Sequence, residues 1–284
     1  MKRSFLALLL LVLLLPGKAQ KTFHSIEKAV ERPKEAFHLR LVQARPKAEE
    51  WQQLSRLSNL NKLYLEDVLL DTLPRSMSGL IRMTDFRSHQ NPIRYFPDTL
   101  RNWKALSYLE LVGAKLDTFP KICRHWRKLR EIGINKNRAE RMVLPETIGS
   151  LGELKLLAIN KSPLAPLPSS ITELGSLRKL ILKGCKLKKL PKGMGKLQSL
   201  ETLVLENNKL EKIPASIGSL QNLEYLSLKG NLLKKLPESI SRLSSLKRLD
   251  IRDNYFSAYR LDIIKALLPN TEILHDPIEE KKDG

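Results

Sequence analysis

Leucines recur at fixed intervals along most of the chain, and the clearest example spans residues 177–237. Leucines at the first, fourth, sixth and eleventh places of one segment return 23 residues later, and return again after another 23. They are Leu177, Leu180, Leu182 and Leu187, then Leu200, Leu203, Leu205 and Leu210, then Leu223, Leu226, Leu228 and Leu233. Because L-x-L alternates, both leucines face one side of a short strand. One repeat cannot bury that side alone, so the pattern predicts stacked repeats that share a core.

The same register extends over residues 36–256. Nine clear repeats begin in steps of 23 residues, except for one step of 25. Their first residues are Leu60, Met83, Leu106, Leu129, Leu154, Leu177, Leu200, Leu223 and Leu246. A degenerate repeat precedes them, with Ala36, Leu39 and Leu41 at its apolar places. The two additional residues of the long step fall within 140–143, where a loop can absorb them.

An apolar residue followed by proline closes eight of the repeats, from Leu73-Pro74 to Leu236-Pro237. Proline lacks an N–H and favours an extended or turn backbone, so the second half of each repeat should not form a long helix. The predicted fold is therefore an α/β repeat solenoid. It is a horseshoe with a concave parallel β-sheet and a mostly extended or 3₁₀ convex side.

The ninth place of each repeat is expected to hold asparagine, whose side chain satisfies backbone groups where the chain turns. Asparagine stands there at Asn91, Asn137, Asn208, Asn231 and Asn254. Cys185 and Ser162 are plausible substitutes, whereas Val68 and Ala114 cannot form such bonds, which predicts a weaker ladder in the early repeats. Ser88 stands where an inward leucine belongs.

Both ends of the repeat region are predicted to be capped, because a solenoid otherwise exposes core at its terminal repeats. Residues 20–35 predict an N-terminal cap with a short helix that begins after Ser25. Residues 257–276 predict a C-terminal cap with a helix and a last short strand. Residues 277–284 are predicted to be a polar tail.

Residues 1–19 predict a secretory signal peptide. A basic start and an apolar run at residues 5–15 precede small residues at Gly17 and Ala19, as expected for cleavage before Gln20. The run is short for a membrane span, which needs about 20 residues, so no transmembrane span is expected in the mature chain. We therefore predict a secreted or periplasmic protein, with periplasm, cell surface and medium left open.

The composition excludes a disordered chain, since 42% of the residues are hydrophobic. The 50 basic and 30 acidic residues leave a formal charge of +20, which suits anionic partners and equally suits plain solubility. Aromatic residues are not interleaved with the lysines, so no nucleic acid is expected. Cys123 and Cys185 fall three strands, roughly 14 Å, apart, too far for a disulfide. No Cys/His cluster has metal-ligand spacing, so neither a metal nor a cofactor is expected.

The repeat LPxxIGxLxxLxxLxLxxNxL resembles the leucine-rich repeat superfamily over residues 36–256. It looks like the 23-residue class of Shoc2-like scaffolds and of many exported bacterial repeat proteins. The resemblance implies a curved solenoid that binds other molecules on its concave sheet, and it does not identify the partner.

Residues between the leucines should point onto the concave face, where they form two patches. The polar patch comprises Tyr64, Asp85, Arg87, His89, Tyr108 and Glu110. The apolar patch comprises Leu156, Ala158, Ile181, Val204 and Tyr225. Tyrosine and arginine are favoured at binding hot spots, and exposed apolar patches often mark interfaces. The alternative for both is ordinary strand filling, since isoleucine and valine favour strands and scattered exposed apolar groups are normal.

Catalysis is not expected from the neighbouring Asp85, Ser88 and His89. Ser88 should point into the core while the other two lie outward or in the turn, so a relay cannot form. Because the C-terminal cap reaches the end of the sequence, no separate catalytic domain is expected either. No catalytic residue is therefore predicted.

A lysine edge is predicted where solenoid stacking brings charges of successive repeats together. It comprises Lys188, Lys189, Lys212, Lys234 and Lys235. This edge suits an anionic glycan, a lipid headgroup or an acidic protein, although a solvated face is the simpler interpretation. The leading hypothesis is a non-enzymatic module that binds a protein partner on the concave sheet. Recognition of an anionic glycan or lipid is the alternative.

Overall fold

A computed structural model describes residues 21–277 of the chain. The predicted signal peptide, residues 1–19, lies outside the described residues, as do residues 278–284 of the predicted tail.

Twelve strands form one parallel sheet across the described residues, and each pairs with the next in chain order. They are β1 Thr22–Phe23, β2 His38–Val42, β3 Lys62–Glu66, β4 Asp85–His89, β5 Tyr108–Val112, β6 Glu131–Asn135, β7 Leu156–Asn160, β8 Lys179–Lys183, β9 Thr202–Val204, β10 Tyr225–Ser227, β11 Arg248–Asp250 and β12 Glu272–Leu274. The register pairs equivalent places of adjacent repeats, such as Leu203 with Leu226. The predicted solenoid with a concave parallel sheet is confirmed.

The convex side consists mainly of short 3₁₀ helices, as predicted. They span Leu54–Arg56, Arg75–Gly79, Asp98–Asn102, Lys121–His125, Glu146–Ser150, Ser169–Glu173, Met194–Lys196, Ala215–Ser219 and Glu238–Arg242. Seven of the nine begin directly after a proline, for example Pro74 with φ −59° and ψ 137°. Proline's fixed φ suits the entry to a helical turn but not a position inside one.

Within residues 21–277, three α-helices lie outside this regular pattern. They are α1 Ile26–Glu31, α2 Ala48–Gln53 and α3 Ala258–Leu267. Ser25 caps α1 by accepting from the backbone N–H of Lys28 at 3.3 Å, and Ser257 caps α3. Helix α2 departs from the extended or 3₁₀ convex side. It starts after Lys47, whose backbone N–H donates to Glu50 Oε2 at 2.6 Å. Strand β1, which the sequence pattern did not predict, pairs Thr22 with His38.

The core contains the repeat leucines and an aromatic cluster in the early repeats. Trp103 and Trp126 stack at 6.4 Å between ring centroids, and Phe86 lies 5.2 Å from Trp103. Both indoles are fully buried, and each donates its N–H to a backbone carbonyl of the preceding repeat. These large rings fill space that leucine fills elsewhere.

The asparagine ladder joins neighbouring repeats. Asn208 Oδ1 accepts from the backbone N–H groups of Cys185 and Leu187, each at 3.0 Å, and its Nδ2 donates to Leu182 O. Each asparagine therefore serves the repeat before its own. For this reason the Val68 N–H is still satisfied, by Asn91 Oδ1 at 2.8 Å, although Val68 itself has no polar side chain.

The two cysteines are free and buried. Burial raises the pKa of Cys123 to about 11 and that of Cys185 to about 12. The two additional residues within 140–143 do more than lengthen a loop. Met142 pairs with Leu164 in an isolated parallel bridge and is fully buried. Val143 pairs with Thr118 just as Tyr95 pairs with Thr72 between two earlier repeats, so that bridge is a regular feature.

Candidate binding surface on the concave sheet

The fifth place of each repeat forms a continuous outward column across the sheet. In strand order it reads Arg40, Tyr64, Arg87, Glu110, Gly133, Ala158, Ile181, Val204, Ser227 and Asp250. The character of the column changes from charged and aromatic to small, then apolar, then small and polar. The sheet therefore presents distinct zones from its N-terminal to its C-terminal end.

The polar patch is held together by a chain of contacts across β3, β4 and β5. Tyr64 donates its hydroxyl to Glu66 Oε2 at 2.7 Å, and its oxygen lies 3.1 Å from His89 Nδ1. His89 Nε2 lies 3.6 Å from Glu110 Oε2, which also accepts from the Tyr108 hydroxyl at 3.1 Å. Side chains from three strands thus position one another.

Two arginines cover the aromatic rings of this patch. The Arg40 guanidinium lies 5.0 Å from the centre of the Tyr64 ring, and that of Arg87 lies 4.4 Å from the Tyr108 ring. Arg87 also lies 3.5 Å from Asp85. Cation–π contacts of this kind restrict long side chains that otherwise sample many rotamers. The patch presents arginine and tyrosine in an ordered arrangement.

Burial and hydrogen bonding set the charge states of the patch. Burial, with help from Glu66, raises the pKa of Tyr64 to about 12, and burial likewise raises the pKa of Tyr108. The neighbouring His89 holds the pKa of Glu110 below its usual value, although burial opposes this effect. At neutral pH the patch therefore offers phenol hydroxyls and an ionised carboxylate. These groups suit hydrogen bonding to a partner better than nucleophilic attack.

The apolar patch lies on β7 to β10. Leu156, Ala158, Ile181, Val204 and Tyr225 are all half-buried rather than exposed. The expectation of an exposed apolar patch is corrected in this respect. Side chains on adjacent strands about 4.8 Å apart cover one another, so each keeps only its outer surface free.

The repeat geometry agrees with a comparison against known protein families. A family model described as Leucine rich repeat matches residues 175–233 and 198–256. Residues 175–256 are leucine-rich repeats. The match does not resolve subclasses, so the 23-residue class stays a prediction. No curated protein matches the sequence.

Solved leucine-rich repeat structures resemble most of the described solenoid. The ectodomain of the plant membrane receptor kinase GASSHO1/SCHENGEN3 from Arabidopsis thaliana, in complex with CASPARIAN STRIP INTEGRITY FACTOR 2, has a TM-score of 0.65 at 24% identity, covering 80% of this chain and 28% of that chain. The plant peptide hormone receptor RGFR1, in complex with RGF2, has a TM-score of 0.60 at 23% identity, covering 79% and 41%. An internalin (inlF) from Listeria monocytogenes has a TM-score of 0.58 at 14% identity, covering 90% and 89%.

At these identities the likeness shows the fold alone. This leucine-rich repeat chain spans less than half the length of the two plant proteins it resembles.

Two residues that contact the polar patch are not among those predicted from the sequence. Arg40 lies in the degenerate repeat, and Glu66 occupies the seventh place of its repeat, which was not read as a column. Extending the outward columns to the seventh place, and one repeat toward the N-terminus, identifies both. The register places Arg40 beside Tyr64 and Glu66 beside His89.

The C-terminal end of the concave face of the leucine-rich repeats is closed. Ser227 and Asp250 are buried, although their column faces outward. Arg252 donates two side-chain N–H groups to Asp250, at 2.9 and 2.6 Å. Burial raises the pKa of Asp250, but these bonds outweigh it and leave that pKa lowered. Ser227 donates to Glu206 Oε1 at 3.0 Å, so this end offers few free polar groups.

Two of the five lysines of the predicted edge line a groove. The groove has a volume of about 460 Å³ and is lined by Lys188 and Lys189 together with Arg141, Lys186 and Lys209, which lie outside the five-lysine edge. It also has apolar walls that include Leu164 and Leu187. Lys212, Lys234 and Lys235 are exposed but do not line this groove. The step of 25 residues contributes Arg141 and therefore helps to shape the groove.

The geometry also bears on catalysis, metal binding and membranes. Ser88 is buried and accepts from Asn91 Nδ2 at 2.9 Å, so it points away from His89 as expected. Over residues 21–277 no three His, Cys, Asp or Glu side chains are placed to hold a metal ion. Within the same range no helix has the length and apolar character needed to cross a bilayer.

Proposed function

We propose that this chain is a non-enzymatic binding module whose concave sheet recognises a protein partner. The observation that supports the proposal is the ordered polar patch, with Arg87 over Tyr108 at 4.4 Å, on the same face as the half-buried apolar patch. Tyrosine and arginine in ordered surroundings are the side chains that dominate binding energy at protein interfaces. A neighbouring apolar surface supplies desolvation energy on contact.

The solved relatives agree with this proposal at the level of fold. GASSHO1/SCHENGEN3 is in complex with CASPARIAN STRIP INTEGRITY FACTOR 2, and RGFR1 is in complex with RGF2, so proteins of this fold do bind partners. The proposal for this chain rests on its own concave residues.

The test is capture of a partner from the native cell envelope and medium by the mature chain. Replacing Ile181 and Val204 together by glutamate should abolish capture, because two charges would be desolvated at the interface. Ile81→Glu is the matched control, since Ile81 is 56% exposed and lies outside the sheet. Unchanged capture by the double variant, with the fold intact by circular dichroism, would reject the apolar patch as the site.

We further propose that the chain is secreted or periplasmic after cleavage before Gln20. The basic start, apolar run and small residues of the first 19 positions support this proposal. N-terminal sequencing of the protein from its native cell should begin at Gln20. A sequence that begins at Met1 would contradict export by cleavage.

A second candidate function is recognition of an anionic glycan or lipid at the lysine edge. Its support is the groove in which Lys186, Lys188, Lys189, Lys209 and Arg141 converge. Binding of this kind should weaken steeply with salt, because exposed charges are screened. Reversing the charge of Lys188 and Lys189 with no loss of binding to heparin or to anionic vesicles would count decisively against it.

A further inference from the structure

A recess of about 220 Å³ lies at the N-terminal end of the concave face, over β1 to β4. Its polar lining forms two rows that the strand register sets side by side. One row is Thr22, His38, Lys62 and Asp85, and the other is Arg40, Tyr64 and Arg87. The recess is smaller than the roughly 300–1,000 Å³ of sites for drug-sized ligands. It therefore suits one side chain or one chain end of a larger molecule.

The recess is positively charged. Arg40, Lys62 and Arg87 face one carboxylate, Asp85, so the lining carries a formal charge of 3 − 1, or +2. Asp85 lies 3.5 Å from Arg87 and accepts from the Thr84 hydroxyl at 3.2 Å, so its charge is compensated. Lys62 is exposed and, among the described residues, has no acidic side chain within ion-pair distance. Its ammonium group is free for a ligand.

A buried nitrogen without a partner lies in the same recess. Within residues 21–277, His38 Nε2 is shielded from solvent and has no hydrogen-bond partner. Buried polar atoms in native proteins nearly always have one, so His38 brings an unsatisfied polar atom to the wall of the recess. Burial and the Lys62 charge lower the pKa of His38, although Asp85 opposes them. The ring is therefore neutral at neutral pH.

The remaining donors of the recess are held in place before any ligand arrives. Arg40 lies over the Tyr64 ring, 5.0 Å from its centre, and 3.8 Å from Glu66, which lies outside the lining. The Tyr64 hydroxyl is fixed by Glu66 at 2.7 Å. A planar guanidinium fixed in this way matches the two oxygens of a carboxylate.

We propose that this recess binds a carboxylate of an acidic segment of the protein partner, through Arg40 and Lys62. The inference rests on the proposed function, and it adds the chemistry that the N-terminal zone of the sheet selects. The segment continues across the polar patch, so its acidic residue sets its register on the sheet.

The experiment selects binders from a random peptide display library on the full mature chain. The enriched peptides are then synthesised and their affinities measured by fluorescence anisotropy. We expect enrichment of Asp or Glu at one place, and replacement of that residue by its amide should weaken binding by about tenfold, as for a lost charge-assisted hydrogen bond. Amidating the peptide's C-terminus distinguishes a side-chain carboxylate from a terminal one.

Lys62→Glu should lower the affinity for the same peptides by at least about tenfold. Lys62→Met keeps the length of the side chain without its charge and should lower the affinity by somewhat less. The matched control is Lys179→Glu. Lys179 is exposed and occupies the same place of its repeat on β8, five strands away. Lys179→Glu should keep the peptide affinity within about twofold of that of the unmodified chain. Both lysines are exposed, so neither substitution should change the melting temperature.

The outcomes separate this inference from the proposed function. If Ile181→Glu and Val204→Glu weaken peptide binding while Lys62→Glu leaves it unchanged, the carboxylate site is overturned and the proposed binding function is retained. Peptides that respond to Lys62→Glu alone would support the carboxylate site and count against the apolar patch. A library that yields no acidic consensus overturns the inference whether or not a native partner is captured.

Discussion

His89 Nε2 lies 3.6 Å from Glu110 Oε2 and has no hydrogen-bond partner among the described residues. The Tyr64 hydroxyl donates its single hydrogen to Glu66, so its oxygen can only accept from His89 Nδ1. His89 lies on β4 and Glu110 on β5, and His89 is the main cause of the lowered pKa of Glu110. The ionised carboxylate is therefore stabilised by a side chain on the adjacent strand.

Glu110→Gln should reduce the dependence of stability on acid. The pKa of Glu110 is lowered in the folded chain, chiefly by His89, from the ordinary value of 4.5. A lowered carboxyl pKa contributes stability above the unfolded value, and this contribution is lost as the pH falls through the folded value. We expect a loss of about 1 kcal/mol at neutral pH and a flatter acid limb in urea unfolding.

Glu211→Gln is the control for that measurement, because Glu211 is exposed and lies outside the patch. An identical acid limb in Glu110→Gln and the unmodified chain would contradict the role assigned to this pair.

Asn208→Ala should be among the most destabilising single truncations. It leaves the buried N–H groups of Cys185 and Leu187 without the acceptor that each finds at 3.0 Å. Two orphaned buried donors cost about 2–5 kcal/mol. Urea unfolding followed by circular dichroism measures this loss. Asn222→Ala is the matched control, since exposed Asn222 makes one bond, to Gln198 O, and should cost below about 1 kcal/mol.

Gly133→Val should stabilise the chain. Gly133 lies inside β6, and a Cβ there would meet only Glu110 Cγ, at the ordinary contact distance of 3.7 Å. A β-branched residue in a strand gains about 0.5–1 kcal/mol over glycine. Gly149→Ala should have the opposite sign, because its Cβ would lie 2.7 Å from Ser170 O. Thermal melting of both variants decides, and a lower melting temperature for Gly133→Val would refute the first expectation.

Ser88→Leu should destabilise the chain although it restores the repeat consensus. Ser88 is 2% exposed and accepts from Asn91 Nδ2, while the neighbouring Phe86 already fills the core with a larger ring than leucine. Overpacking together with a lost acceptor costs about 1–3 kcal/mol. Ser88→Ala should cost less because it adds no volume. Greater stability of Ser88→Leu in urea unfolding would show that the site has room.

The outward columns could be aligned from the period alone, because parallel pairing in steps of one repeat sets equivalent residues side by side. Solvent exposure could not be read in the same way. Asp250 belongs to an outward column yet is buried, since Arg252 folds back onto it. The apolar patch is half-buried for a similar reason: its members shield one another. Whether either concave patch binds a partner stays a prediction.

The sequence by itself determined the solenoid, its register and its 3₁₀ convex side. These features depend on local signals, namely leucine spacing and proline position, which recur along the repeats. Only the tertiary structure decided which polar groups meet. Tyr64 and His89 are 25 positions apart in the sequence, yet the Tyr64 hydroxyl oxygen lies 3.1 Å from His89 Nδ1. Arg141 lines the groove of Lys188, although it lies two repeats earlier in the chain. Such contacts depend on how side chains of different repeats pack, and no period in the sequence encodes that packing.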